Sequence, residues 1–184
     1  MVGAQSMRVL VVLMLAAALA GCAAAEAPEV APTVAPSAPE SGPQPLIGLD
    51  GQAFIDTLEA EGFACSEPQP FTTALQQWNC AAQVTEVEGI SHEVIILGES
   101  LTAIHSIDAS IDQFQAIEPD DSRAAGFLAS IAESAGFTGA DTAAAEAWVL
   151  ENATVESIQL ELPGVTYNLR GPQELRALEI VATD

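Results

Sequence analysis

The sequence predicts an α+β domain with an antiparallel sheet of about five or six strands and two or three helices on one face. Two features predict this class. Segments in which apolar and polar residues alternate fall into two groups, and a stretch with helical spacing separates them. One alternating segment carries mainly hydroxyl and carboxyl side chains at every second position, which is typical of a sheet with one solvated face. The predicted order is one helix, three strands, two helices and then two or three strands.

The first group begins with a helix and a strand. The helix covers residues 52–61, because Asp50 precedes it as an N-cap and Gly62 follows it as a stop signal. Residues 68–70 contain two prolines and are predicted to form a loop. From Gln77 the pattern alternates, as in a half-buried strand. The inward set of this strand consists of Trp78, Cys80, Ala82 and Val84, so we expect the indole to pack near Cys80.

Two further strands and a turn complete this group. Residues 92–97 form a mainly apolar run that is typical of a buried strand, and the Gly-Glu-Ser sequence at residues 98–100 predicts a hairpin turn. Residues 101–111 alternate again. One face of this strand carries Leu101, Ala103, His105, Ile107, Ala109 and Ile111 and is predicted to point inward. The other face carries Thr102, Ile104, Ser106, Asp108, Ser110 and Asp112.

The helical stretch contains two helices. The first follows the acidic residues 118–121, which favour the N-terminal end of the helix dipole, and it stops at Gly136. The second has Asp141 as its N-cap and Asn152 at its end. Three alternating segments close the chain, at residues 158–162, 165–169 and 178–182.

The N-terminus carries a pattern typical of export. Arg8 precedes twelve uncharged apolar residues at positions 9–20, whereas a helix needs about 20 to cross a bilayer. This length fits the apolar region of a secretory signal peptide. The run ends in Leu19-Ala20-Gly21-Cys22, which resembles the lipobox of bacterial lipoproteins. The resemblance implies cleavage before Cys22, diacylation of its thiol, and anchoring to a bacterial membrane with the domain on the extracytoplasmic side, at the cell surface or in the periplasm.

The chain divides into three predicted segments: a lipoprotein signal peptide at residues 1–21, the lipidated cysteine with an Ala/Pro-rich linker at residues 22–45, and a single α+β domain at residues 46–184. The linker holds six of the eleven prolines. Proline restricts its own backbone and that of the preceding residue. We therefore expect an extended spacer that holds the domain away from the membrane.

Cys65 and Cys80 are the two cysteines other than Cys22. Export places them in an oxidising compartment, where an even number of cysteines favours disulfide formation. Their spacing is not that of a redox-active CxxC motif, and two ligands make an incomplete zinc site. We therefore predict a structural disulfide between them.

The chain is strongly acidic. It contains 26 acidic residues, four arginines and no lysine, so loss of Arg8 with the signal peptide leaves a net charge of −23. Such a surface repels nucleic acid and anionic lipid headgroups. Two interpretations stay open: the acids solvate the surface, or some of them bind a divalent cation. The candidate ligands are Asp108 and Asp112, although Gln113 and Pro119 stand where a calcium loop has its glycine and its glutamate.

The sequence lacks the motifs of nucleotide binding and nucleophilic catalysis, so no cofactor is predicted. His92 and Glu93 begin an HExxH pattern, but Ile96 occupies the position of the second histidine. His92 is predicted to be exposed at a strand start, and His105 is interpreted as a core histidine, with a ligand or catalytic role as the alternative. This inventory favours a binding or envelope-associated role with an envelope protein as partner. The alternatives are a cation-dependent adhesion or sensing module and a cell-envelope hydrolase that uses a histidine with a serine such as Ser106.

Overall fold

The computed structural model describes residues 44–84, 89–116 and 118–183. The signal peptide, Cys22 and the linker before Gln44 lie outside the described residues, so the predictions made for them stay predictions. The described part is an α+β fold with three helices and one antiparallel sheet, so the predicted fold class is confirmed, but the sheet has eight strands rather than the five or six predicted.

The sheet has eight strands in the described part of the chain. They are β1 (Ala64–Cys65), β2 (Gln69–Pro70), β3 (Gln76–Gln83), β4 (Ser91–Ser100), β5 (Ala103–Asp112), β6 (Ser157–Leu162), β7 (Val165–Arg170) and β8 (Leu175–Ala182). Their order across the sheet is β1-β3-β4-β5-β8-β7-β6, and β2 also pairs with β3. Among the described residues, no strand lies on the outer side of β6.

The three helices are α1 (Gly51–Ala60), α2 (Asp121–Ser134) and α3 (Thr142–Asn152). An aspartate carboxylate accepts backbone N–H groups at the start of each helix, and these residues are Asp50, Asp120 and Asp141. At the end of α3 the Asn152 side chain donates to the carbonyl of Trp148 at 2.8 Å. The predicted caps at Asp50 and Asp141 are thus confirmed, because short acidic side chains satisfy N–H groups that have no partner inside the helix.

The sheet consists of two antiparallel meanders of similar topology. The strands β3, β4 and β5 form the first, and β8, β7 and β6 form the second in mirrored spatial order, with β5 and β8 paired at the centre. One helix precedes the first meander and two precede the second. The two halves therefore repeat a helix-then-meander plan, although their sequences show no repeat.

One face of the sheet packs against the helices, and we call it the covered face. A row of residues in register across five strands lies at its centre: Trp78, Ile96, Ile107, Ile180 and Tyr167. These side chains are at most 5 % exposed. They join buried residues of the helices, such as Leu58 and Leu128, in one apolar core. The hydrophobic effect therefore holds all three helices on the same side of the sheet.

The two shortest strands depart from the prediction, which places residues 68–70 in a loop. Pro70 pairs with Gln76 in β2, and Cys65 pairs with Cys80 in β1. Each of these strands has only two residues, which is too short for an alternating pattern to show in a sequence. Pro70 is tolerated because β2 pairs only with β3 and so needs few backbone donors.

The hairpin between β4 and β5 corrects a second prediction. It turns at residues 101 and 102 rather than at 98–100, because Ser100 still pairs with Ala103. The register shifts on both sides of Gly98, which marks a β-bulge. A Cβ atom at Gly98 would lie 2.5 Å from the carbonyl oxygen of Ala103, so only glycine fits. Gly98 therefore serves the bulge and not the turn.

Candidate functional site

The opposite face of the sheet carries no helix in the described part of the chain, and we call it the open face. Its central residues, placed by cross-strand register, are Ile95, Leu97, Ser106, Asp108, Ser110, Asn168, Arg170, Ala177, Glu179 and Val181. All except Arg170 are half-buried, because neighbouring side chains shield one another. The open face thus combines aliphatic, hydroxyl and charged groups.

A group of ion pairs joins the two meanders on the open face. Arg170 of β7 donates to the carboxylate of Asp108 on β5 and, at 3.0 Å, to that of Glu179 on β8. The amide of Asn168 also donates to Glu179, at 3.2 Å. Burial raises the pKa of Asp108, and Arg170 offsets part of this increase. Because three strands contribute, the network fixes the charged side chains in place.

The bulge at Gly98 decides where His105 points. Ile104 pairs with Gly98 and Ser106 pairs with Leu97, so His105 is the extra residue between two pairs. Ile104 is consequently fully buried on the covered face, and His105 lies beside open-face residues. The predicted faces of Ile104 and His105 are therefore wrong, because one inserted residue reverses the alternation.

A cleft of about 200 Å³ surrounds His105 at one end of the open face. We call it the His105 cleft. The remaining lining residues are Gln44, Leu75, Leu97, Ser106, Glu179, Val181 and Ala182. Its walls are largely aliphatic, whereas its polar groups are concentrated at His105, Ser106, Gln44 and Glu179.

The imidazole of His105 is buried and has no hydrogen bond to any residue that the structure describes. The side chain is 9 % exposed, and neither ring nitrogen has a partner within the described residues. The nearest carboxylate oxygen belongs to Glu99 and lies 3.7 Å from Nε2, which is too far for a hydrogen bond. A buried polar group without a partner costs about 1–3 kcal/mol. His105 therefore fits neither a satisfied core histidine nor a serine-based triad, since it forms no hydrogen bond to Ser106.

The two candidate metal ligands do not come together. Asp108 is bound to Arg170, and Asp112 is exposed and accepts the backbone N–H of Phe114 at 2.9 Å. Within the described ranges, no group of three His, Cys, Asp or Glu side chains could hold a metal ion. The alternation in β5 places both aspartates on one face, but they are four residues apart along the strand. At about 3.4 Å per residue, this spacing is too long for one ion to bridge.

His92 lies on the covered face and is half-buried rather than exposed as predicted. Its ring stacks on Phe127 of α2 with the centroids 4.0 Å apart and the planes 4° from parallel. Burial lowers the pKa of His92, and the charge of Arg123 lowers it further. The ring is therefore part of the contact between sheet and helix, which the sequence pattern does not reveal.

Cys65 and Cys80 form the predicted disulfide, with Cα atoms 4.0 Å apart. The bond links β1 to β3 directly across the ladder, and Cys80 is fully buried. Cys65 and Trp78 line the same shallow pocket, so the indole does lie close to the disulfide. This position, within the core and away from the open face, is that of a structural crosslink.

None of the helices in the described parts of the chain has the length and apolarity that spanning a bilayer requires. No protein-family model matches the chain, and neither does any curated protein or solved structure.

Proposed function

We propose that this chain is a lipid-anchored, extracytoplasmic binding protein of a bacterial envelope, and that a protein partner docks on its open face. The observation that carries the proposal is the asymmetry of the sheet. Helices cover one face, whereas the other presents half-buried Ile95, Leu97 and Val181 beside the ion pairs of Arg170. Protein interfaces typically combine such an apolar centre with charged groups at fixed positions.

The anchoring part of the proposal rests on the Leu19-Ala20-Gly21-Cys22 motif. It is tested by expressing the chain in a bacterium with Cys22→Ala beside a Cys65→Ala/Cys80→Ala control. We expect the Cys22 variant to lose lipid mass by mass spectrometry and to leave the membrane fraction, because no acyl chain remains to insert. The control variant should keep its lipid. An unlipidated wild-type chain would contradict the anchor.

The docking part is tested by placing a photo-crosslinking amino acid at Ile95 of the open face. The matched control carries the same amino acid at Glu133, an exposed position of α2 on the other side of the sheet. We expect one discrete crosslinked protein band from Ile95 in native cells and none from Glu133. Equal crosslinking from both positions, or none from Ile95, would refute the open face as the docking surface.

A further inference from the structure

We propose that the His105 cleft binds a primary alkylammonium group, namely the side chain of a lysine on the docked protein. This inference deepens the proposed function and rests on it, because the lysine must arrive on a partner of the open face. Three properties of the cleft carry it: aliphatic walls, an excess of negative charge, and a buried nitrogen that has no hydrogen bond among the described residues.

The walls suit the methylene chain of a lysine. Leu75, Leu97 and Val181 line a space of about 200 Å³, which takes one side chain rather than a folded element. Each of the three is only half-buried, so apolar surface is still exposed to water. A long alkyl stem with a terminal charge can bury its methylene groups against these residues while its ammonium group reaches the polar end.

The electrostatics favour a cation. Glu179 lines the cleft, Glu99 lies beside His105, and no arginine is among the lining residues. Arg170 neutralises part of the Glu179 charge, but Glu99 forms no ion pair with an arginine within the described residues. The net charge of −23 on the processed chain adds a field that attracts cations and repels anions. An anionic ligand would meet the opposite potential.

The gap between His105 and Glu99 is the specific feature. Nε2 of His105 and Oε1 of Glu99 are 3.7 Å apart, and the Glu99 side chain is 64 % exposed. Because Nε2 itself is buried, the carboxylate of Glu99 must move outward to admit the ammonium group. An ammonium group has three donors. It can donate to Nε2 of His105 and to the carboxylate of Glu99 at the same time, which satisfies the buried nitrogen and pairs the acid. A neutral apolar side chain would leave both unsatisfied.

The test uses the full chain in detergent micelles and a capped pentapeptide, Thr-Val-Lys-Val-Thr. Because the protein has only two histidines, NMR of labelled imidazoles reports His105 and His92 separately. We expect the peptide to shift the His105 signals and to leave those of His92 in place. A peptide with norleucine instead of lysine should bind at least about tenfold more weakly, as the loss of charge-assisted hydrogen bonds implies.

Two substitutions test the two partners of the ammonium group. His105→Phe keeps an aromatic ring of similar size without an acceptor, and Glu99→Gln removes only an exposed charge, so its folding is not at risk. We expect either substitution to weaken binding of the lysine peptide about tenfold. His92→Phe is the matched control, because it changes a histidine on the covered face, and binding should not change.

The outcomes separate the alternatives. If n-butylamine binds as tightly as the peptide, the ligand is a free amine and the assignment to a partner lysine is overturned. If neither probe moves the His105 signals, the cleft proposal fails as a whole. The crosslinking test at Ile95 is independent of both results, so the proposed function can stand while the cleft proposal falls.

Discussion

Gln113 and His105 are both buried polar residues. The side chain of Gln113 forms three hydrogen bonds, whereas that of His105 forms none within the described residues. The Gln113 amide is fully buried and donates to the carbonyls of Asp120 and Gln173, at 3.4 and 3.2 Å. Its carbonyl accepts the N–H of Asp120 at 2.9 Å. Gln113 thus connects the end of β5 to the start of α2 and to the loop before β8. A satisfied network of this kind stabilises a fold, whereas a buried imidazole with no partner among the described residues, such as that of His105, lowers stability.

Replacement of Gln113 by leucine should lower the free energy of unfolding by about 2 kcal/mol, because it removes three part-buried hydrogen bonds to backbone groups of Asp120 and Gln173. Urea denaturation followed by tryptophan fluorescence measures the change. The control is Gln159→Leu in β6, where the exposed side chain donates a hydrogen bond to the exposed side chain of Glu161. Its effect should stay within about 0.5 kcal/mol. Equal effects of the two substitutions would show that the hydrogen bonds of Gln113 do not stabilise the fold.

Tyr167 offers a clean alkaline titration. Its hydroxyl is buried without a partner in the described part of the chain, and burial raises its pKa from 10.0 to about 12, with Asp141 adding to the effect. Folding therefore favours the protonated phenol. This contribution to stability is complete below pH 10 and declines as the pH rises towards 12.

We expect wild-type stability to fall across that alkaline range, and the Tyr167→Phe variant to lose this component of the decline. The chain has one tyrosine, so absorbance at the tyrosinate band follows Tyr167 alone. It has no lysine, so no ammonium group of a lysine titrates in the same range. Denaturant midpoints at stepwise pH values give the stability of both proteins. Parallel curves for the two would mean that the phenol ionises freely in the folded state.

At the scale of elements, alternation predicts most of the sheet but gives the wrong faces for Ile104 and His105. The inward sets of β3, β6 and β8 are as predicted, because burial follows a period of two there. In β7 the predicted residues Val165, Tyr167 and Leu169 are buried, but Thr166 between them is buried as well. In β5 the pattern is ambiguous, since Ile104 is apolar on an otherwise polar face. An isolated glycine at position 98 in the neighbouring strand was the available signal for a bulge. The sequence predicts that the two strands pair in a hairpin but assigns Gly98 to its turn. It does not fix their register, and so it does not show the reversal of His105.

Two glycine substitutions separate the bulge from ordinary glycine effects. Gly98→Ala should destabilise the fold by about 2 kcal/mol, because the new methyl group would meet backbone atoms of Ala103 and Ile104. Gly126→Ala lies on the exposed side of α2 with no atom within 4 Å of the added group. That variant should gain about 0.5–1 kcal/mol from higher helix propensity.

Thermal unfolding of the two variants measures both shifts. The Gly98 variant should in addition move the NMR signals of His105, because the bulge sets the direction of that ring. A Gly98 variant as stable as wild type would contradict the close approach of β4 and β5 at this position.

At the scale of the whole molecule, the candidate site exists only because two separate meanders meet. Asp108 belongs to the first meander, whereas Arg170 and Glu179 belong to the second, and the β5–β8 pairing brings them together. The sequence marks Asp108 and His105 individually. It contains no pattern that pairs either with a residue about 70 positions away, since long-range strand pairing is a property of topology.

The acidic charge should respond to ionic strength rather than to one cation. Asp108 is occupied by Arg170, and the carboxylates of the described residues form no three-ligand cluster. We expect NaCl and CaCl2 at matched ionic strength to raise the melting temperature equally, because both screen repulsion between carboxylates. Differential scanning fluorimetry measures the two curves. A saturable increase with calcium alone would favour the cation-dependent alternative.

The outer edge of β6 is a place where the negative charge of the protein can prevent association between copies. Half-buried Ile158, Leu160 and Leu162 alternate along this strand with exposed polar residues, and its outer backbone groups have no strand partner among the described residues. Such an edge is a template on which another copy can add a strand. Repulsion between acidic molecules opposes that contact while the carboxylates are ionised. Acidification that neutralises them would turn the same edge into a nucleus for precipitation, so colloidal solubility depends on the acids even where folding does not.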